Sequence, residues 1–139
     1  MDVLVSTEMA ASPRRAAAIM FDPRRDPEWI GGTRSVELET PDPTAVAART
    51  RRTGGFLGRK FSWVTEVAEH VPDALLRMKF VEGPMRGEVS YIVAPQGNGS
   101  VVSIRNRGES RFSVPGMAWM LRRSVAKDLE RLKRIVEEG

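Results

Sequence analysis

Hydrophobic residues return along this chain with two different periods, and the change of period divides it. Toward the C-terminus Val114, Met117, Ala118, Leu121, Val125, Leu129, Leu132 and Val136 recur at steps of three and four. Arg122, Arg123, Lys127, Glu130, Arg131, Lys133, Arg134 and Glu137 fill the positions between. That is the period of an amphipathic helix with one apolar stripe. Ser113 suits the N-cap and Pro115 the first turn, so the helix is predicted from Ser113 to Gly139. A rod of that length, ~37 Å at about 1.5 Å per residue, needs a wide apolar surface to cover its stripe.

From Thr33 to Arg111 the period is two. Val36 and Leu38 alternate with Glu37 and Glu39, and Phe61, Trp63 and Val67 alternate with Lys60, Ser62 and Glu66. Leu76, Met78 and Phe80 stand against Arg77 and Lys79, Val89, Tyr91 and Val93 against Glu88 and Ser90, and Val102 and Ile104 against Ser103 and Arg105. A weaker, arginine-bearing strand is predicted over Ala45–Thr53. The links are turn sequences: TPDPT (40–44), GGFLG (54–58), Pro72-Asp73, Gly83-Pro84 and QGNG (96–99). Strands joined by links this short pair as an antiparallel meander with one buried face.

Ahead of the meander, Val3, Val5, Thr7 and Met9 mark a first strand over Asp2–Ala10. Ser12 and Pro13 then open a short helix that Asp22-Pro23 interrupts. A second short helix carries Asp26, Pro27, Glu28, Trp29 and Ile30 and stops at Gly31-Gly32. The predicted fold is α+β, a seven-stranded curved antiparallel sheet around a long C-terminal helix, with two short helices after strand 1. It forms a single domain over residues 1–139. A twisted sheet bends away from a straight helix toward its ends, so the two close on each other at one end and leave a hollow at the other. Phe61, Trp63, Met78, Phe80, Val89, Tyr91, Val102 and Ile104 point toward that hollow, with Met117, Leu121 and Val125 from the helix. Trp29 is placed to close one mouth. The same stripe also describes a plainly packed core.

Composition narrows the functional classes. An apolar fraction of 41% with 29% charge is globular, and 139 residues suffice for a real core. Cysteine is absent and His70 is the single histidine, so neither a disulfide framework nor an ordinary metal site is expected, and no cofactor. The first residues lack the basic and apolar regions of a secretory signal, and no apolar run reaches membrane-spanning length. The cytoplasm is the expected location, without an integral membrane segment. The net charge of +4 comes from arginines spread over every segment, with no RNA- or DNA-binding motif among them. Nucleic acid is therefore not an expected partner.

Candidate chemistry is sparse, and the catalytic residues stay unknown. His70 lies in EHVPD, at a predicted turn, which reads as a solvated loop residue more readily than a base. Tyr91 is the only tyrosine and faces inward. A buried phenol needs a hydrogen-bond partner, so it can orient a ligand carbonyl, act as a general acid, or simply belong to the core. Arg49, Arg51, Arg52, Arg59 and Lys60 gather around one hairpin. By parity Arg49 and Arg51 share one face and Arg52 takes the other. An inward Arg52 would hold a carboxylate or enolate of a ligand. A solvated basic edge strand is the plainer reading. Gly54, Gly55 and Gly58 are followed by no Gly-Lys-Ser/Thr, which removes a phosphate loop.

The order of strand, two short helices, six-stranded meander and long helix resembles the helix-grip fold of the START-like or SRPBCC superfamily, in its bacterial polyketide cyclase/dehydrase and lipid-transport branch. DPRRDPEWIGGTRSVE (22–37) resembles the family's Asp–Pro–Glu–Trp segment leading into strand 2. GRKFSWVTEV (58–67) is similar to its fourth strand, and AKDLERLKRIVEE (126–138) to its closing helix. The resemblance covers essentially the whole chain and implies a ligand cavity between sheet and helix, without a universal catalytic residue. The function it implies is binding of a small hydrophobic ligand, lipid-like or aromatic and polyketide-type. Its alternative is a polyketide cyclase, aromatase or dehydratase using the same cavity. The expected ligand contacts are Trp29, Phe61, Trp63, Met78, Phe80, Tyr91, Ile104, Met117 and Leu121. An exposed apolar patch at Trp119 and Met120, off the main stripe, would instead favour a protein partner or a homodimer.

Overall fold

The alternating segments pair into one sheet. The computed structural model describes residues 1–56, 58–110 and 114–138. Strands β1 (Asp2–Met9), β2 (Thr33–Leu38), β3 (Arg49–Phe56), β4 (Arg59–Val71), β5 (Leu75–Glu82), β6 (Met85–Gln96) and β7 (Gly99–Ser110) lie in the order β1-β7-β6-β5-β4-β3-β2. Every neighbouring pair is antiparallel. Between β1 and β2 run α1 (Pro13–Met20), a 3-10 turn (Pro23–Arg25) and α2 (Asp26–Trp29), and α3 (Met117–Glu138) closes the chain.

The registers bring the alternating residues to one face. Arg52 stands opposite Trp63, Val67 opposite Met78, Leu76 opposite Tyr91, and Tyr91 opposite Ile104. The β4–β5 register shifts twice, at Val64/Thr65 and at Val67/Glu69. Such irregularities add local twist and bend the long strands around the helix.

Helix α3 uses its stripe unevenly. Met117 is its only buried residue before Val125, whereas Val125, Asp128, Leu129, Leu132 and Val136 are all buried after it. Its second half packs into a core with Met20 and Ala16 of α1, Met9 of β1 and Val102 of β7. Hydrogen bonds fasten that end. Arg15 Nε donates to the Val136 carbonyl at 2.7 Å, a cation on one of the helix's last unpaired carbonyls. The Ala10 N–H donates to Glu137 Oε2 at 2.8 Å, and Ser100 Oγ donates to the Ala11 carbonyl at 2.6 Å.

Three boundaries differ from the sequence reading. Residues 45–48 form a turn and not the start of a strand, with Ala47 at φ 72°. Strand β3 instead runs through Gly54 and Gly55, which the sequence reading assigned to a connection. The cause is close backbone approach, since a Cβ on Gly54 would lie 1.8 Å from the Gly32 carbonyl oxygen. Helix α3 begins at Met117, because Gly116 holds φ 78° and leaves Pro115 in the preceding turn. The proposed cap Ser113 and terminus Gly139, with Arg111, lie outside the described residues. Among the described residues no helix is long and apolar enough to cross a membrane.

Candidate functional site

Where the first half of α3 stands off the sheet, a cavity of about 210 Å³ remains. Its walls follow from parity. Phe61 and Trp63 enter from β4, Met78 and Phe80 from β5, Tyr91 from β6 and Ile104 from β7. Met117, Leu121 and Val125 close it from the helix, at steps of four. All nine residues singled out as ligand contacts line this space, as does Val89, whereas Val102 is buried in the packed core beyond it. Phe61 and Trp63 stack at 5.4 Å between ring centroids. Trp29 departs from expectation. It closes no mouth but is 0% exposed at the inner end, edge-on to Tyr91 at 5.7 Å.

The inner end is polar. Arg52 points inward, so the solvated-edge reading fails for this residue. Its side chain is 5% exposed and that of Asp26 is 1% exposed. Arg52 Nε donates to Asp26 Oδ2 at 2.6 Å, and Arg52 Nη1 donates to Thr65 Oγ1 at 2.5 Å. The other arginines of the hairpin behave as surface groups: Arg49 pairs with Glu66 at 3.1 Å, and Arg51 with Glu39 at 3.1 Å and Glu82 at 3.3 Å. On the facing wall Asp128 accepts the Gly31 N–H at 3.0 Å and pairs with Arg131 Nη1 at 2.8 Å. Three buried polar atoms lack a partner among the described residues: Asp26 Oδ1, Trp29 Nε1 and Thr33 Oγ1. Trp29 and Thr33 both line the cavity.

Burial sets the protonation of this end. It pushes the Asp26 carboxyl up to about 6, against the pull of the Arg52 guanidinium. It also raises the Asp128 carboxyl, opposed by the Gly31 N–H and Arg131. The Tyr91 phenol is raised by burial and by the nearby negative charge of Asp26, so it stays protonated at neutral pH. A neutral phenol, an indole N–H and a guanidinium edge are all donors, which suits an oxygen acceptor on a guest.

His70 sits on β4 and not in a loop, half-buried and edge-on to Phe21 at 6.1 Å, away from the cavity. Trp119 is 62% exposed beneath the Arg123 guanidinium at 5.6 Å, while Met120 is half-buried. No group of three or more His, Cys, Asp or Glu side chains among the described residues is arranged to hold a metal ion.

Sequence reasoning missed Asp26, Asp128, Thr65 and Thr33. A signal existed for two of them. Asp128 falls on the apolar face of α3, three residues after Val125 and seven after Leu121, where a charge needs a reason. Thr65 continues the inward parity of Phe61 and Trp63. Asp26 opens the Asp–Pro–Glu–Trp segment, but nothing local says that its carboxylate is buried, since its partner lies 26 residues away.

A family model described as polyketide cyclase / dehydrase and lipid transport matches residues 1–137. No curated protein matches the sequence. Solved structures share the fold at low identity. A START superfamily protein from Mycobacterium smegmatis is 18% identical with a TM-score of 0.76, over 99% of this chain and 94% of that one. A protein from Thermus thermophilus is 23% identical with a TM-score of 0.73, covering 99% and 95%. The di-domain ARO/CYC protein BexL of the BE-7585A biosynthetic pathway is 18% identical with a TM-score of 0.73, matching 99% of this chain and 46% of its own.

Proposed function

This chain belongs to the polyketide cyclase / dehydrase and lipid transport family and shares the fold of a START superfamily protein, and we propose that it binds a small hydrophobic molecule, lipid-like or aromatic and polyketide-type, between the sheet and α3. The observation that carries this reading is a cavity of about 210 Å³ with aromatic and methionine walls and a buried polar cluster around Arg52 at its inner end. Apolar burial supplies the affinity, at about 25 cal/mol per Å² removed from water before the cost of association. Arg52 and Tyr91 set the orientation of the guest. The cavity walls Phe61, Trp63, Met78, Phe80, Ile104, Met117 and Leu121 form its contact surface, with Trp29 as the inner stop.

The test is titration with the uncharged naphthyl ketone fluorophore Prodan at native pH, together with native mass spectrometry of the protein as purified. Saturable binding of about one equivalent, lost on filling the cavity with Leu121→Trp, is expected. Absence of saturable binding and of any co-purified mass removes the reading.

A second reading, a cyclase, aromatase or dehydratase working in the same cavity, is favoured by Arg52 and Tyr91 on its walls. A guanidinium and a protonated phenol there would stabilise a developing enolate. Tyr91→Phe separates the two. Lost turnover of a poly-β-keto thioester with guest binding retained supports catalysis, and unchanged behaviour supports a carrier.

A further inference from the structure

We infer that the cavity selects uncharged guests ending in a carbonyl-type oxygen and turns away carboxylates, because Asp26 neutralises Arg52 from behind. The inference rests on the ligand-binding reading above and names the class of molecule that site takes.

Hydrogen-bonding capacity points to an acceptor. Arg52 spends Nε and Nη1 on Asp26 and Thr65, and its Nη2 has no partner among the described residues. Trp29 Nε1 is buried without a partner, and the Tyr91 hydroxyl makes no hydrogen bond among the described residues. Arg52, Trp29 and Tyr91 all line the cavity, and each offers a proton. One oxygen with two lone pairs satisfies two of these donors, and a guest without such an oxygen leaves Trp29 Nε1 buried and unpaired.

Charge then decides which oxygen. Taken alone, Arg52 invites a carboxylate. Its charge is already matched, however, by Asp26 at 2.6 Å, a side chain behind it that does not line the cavity. On the opposite wall Asp128 is matched by Arg131 at 2.8 Å. At this inner end the four charges sum to zero, and the other charged residues that line the cavity, Arg86 and Arg107 with Glu88 and Glu109, are also matched in number. A carboxylate guest would add an uncompensated negative charge beside the buried Arg52–Asp26 pair and place it across from Asp128. A ketone, ester or amide oxygen takes the same Arg52 N–H bonds and adds no charge.

The matching is conditional. Arg52 of β3 and Tyr91 of β6 face Asp26, Asp22 acts on it from its own segment, and Asp128 of α3 acts on the same end through Tyr91. When Asp26 takes up a proton, Arg52 is left with its charge and the pocket becomes receptive to an anion.

The experiment compares 2-acetonaphthone with 2-naphthoate, which share a ring system and differ in the terminal group. Each is titrated into the purified wild-type protein by fluorescence and calorimetry at pH about 7.5 and again at about 5.5, where the naphthoate is still ionised. The ketone is expected to bind at least about tenfold more tightly at the higher pH. That gap should narrow on acidification. In Asp26→Asn, checked for folding by circular dichroism, the naphthoate should gain at least about tenfold. Where that variant does not fold, the wild-type pair at two pH values decides. Naphthoate binding as tightly as the ketone at pH about 7.5, or a gap indifferent to acidification, overturns this inference and leaves the cavity reading standing. Binding of neither probe overturns both.

Discussion

The two halves of α3 carry one continuous apolar stripe and do different things with it. From Val125 onward the stripe meets α1, β1 and β7 and is filled, with Leu129, Leu132 and Val136 at or near zero exposure. Before Val125 the same stripe meets the curved β4–β5 region and leaves a space of about 210 Å³. Periodicity specifies a face, and whether that face is cemented or hollow depends on what the sheet does opposite it. The filled end also has the hydrogen bonds of Arg15 and Glu137, so the helix is anchored from its C-terminus and the hollow opens beneath its beginning.

The largest expected contrast comes from truncating the stripe at each end. Leu132→Ala empties a fully packed site and should lower the unfolding free energy by about 3 kcal/mol in urea denaturation. Leu121→Ala removes a side chain that already borders empty space, and should lower it by less than about 1 kcal/mol. Equal losses would mean that the two halves are packed alike.

Next is pH. The folded state raises the Asp26 carboxyl to about 6, above its ordinary 3.8, so the folded protein holds that proton more tightly than the unfolded chain. The stabilisation from this group is full below about pH 4 and is lost as pH rises through about 6. The stability of wild type minus that of Asp26→Asn should therefore fall by a few kcal/mol, by roughly 1.4 kcal/mol per unit of displacement, between those limits. A flat difference in thermal melts across that window would contradict the burial of Asp26.

Arg15→Gln tests the anchor more gently. Losing its bond to the Val136 carbonyl should cost about 1 kcal/mol, and the helix end should exchange its amides faster. Smallest in stability is Leu121→Phe, which adds bulk to the hollow. It should change the unfolding free energy by less than about 1 kcal/mol while weakening binding of the uncharged fluorophore Prodan about tenfold. A large stability loss here would show that no room exists to be filled.

The fold was legible because its signals are long and agree. Two periods, turn chemistry at QGNG and Pro72-Asp73, and Ser12 accepting the Arg15 N–H at 3.2 Å each determine a local choice that the whole confirms. One error falls where distant backbone decides, at Gly54, whose role depends on Gly32 across a strand pair, and another at Gly116, whose positive φ delays the start of α3. The apolar walls of the cavity were legible from parity alone. Its polar end was not, because Asp26 and Arg52 meet across 26 residues and a single inward charge looks like a solvated one until its partner is known. Parity had separated Arg52 from Arg49 and Arg51, and nothing in the sequence said what waited on its side.

Asp128 serves two surfaces at once: it borders the cavity and it takes the Gly31 amide proton at 3.0 Å. A guest that leans on this carboxylate redistributes its electron density among the guest, the Arg131 guanidinium and the Gly31 amide. The chemical shift of one backbone nitrogen outside the cavity therefore becomes a built-in gauge of occupancy, readable without any label on the guest.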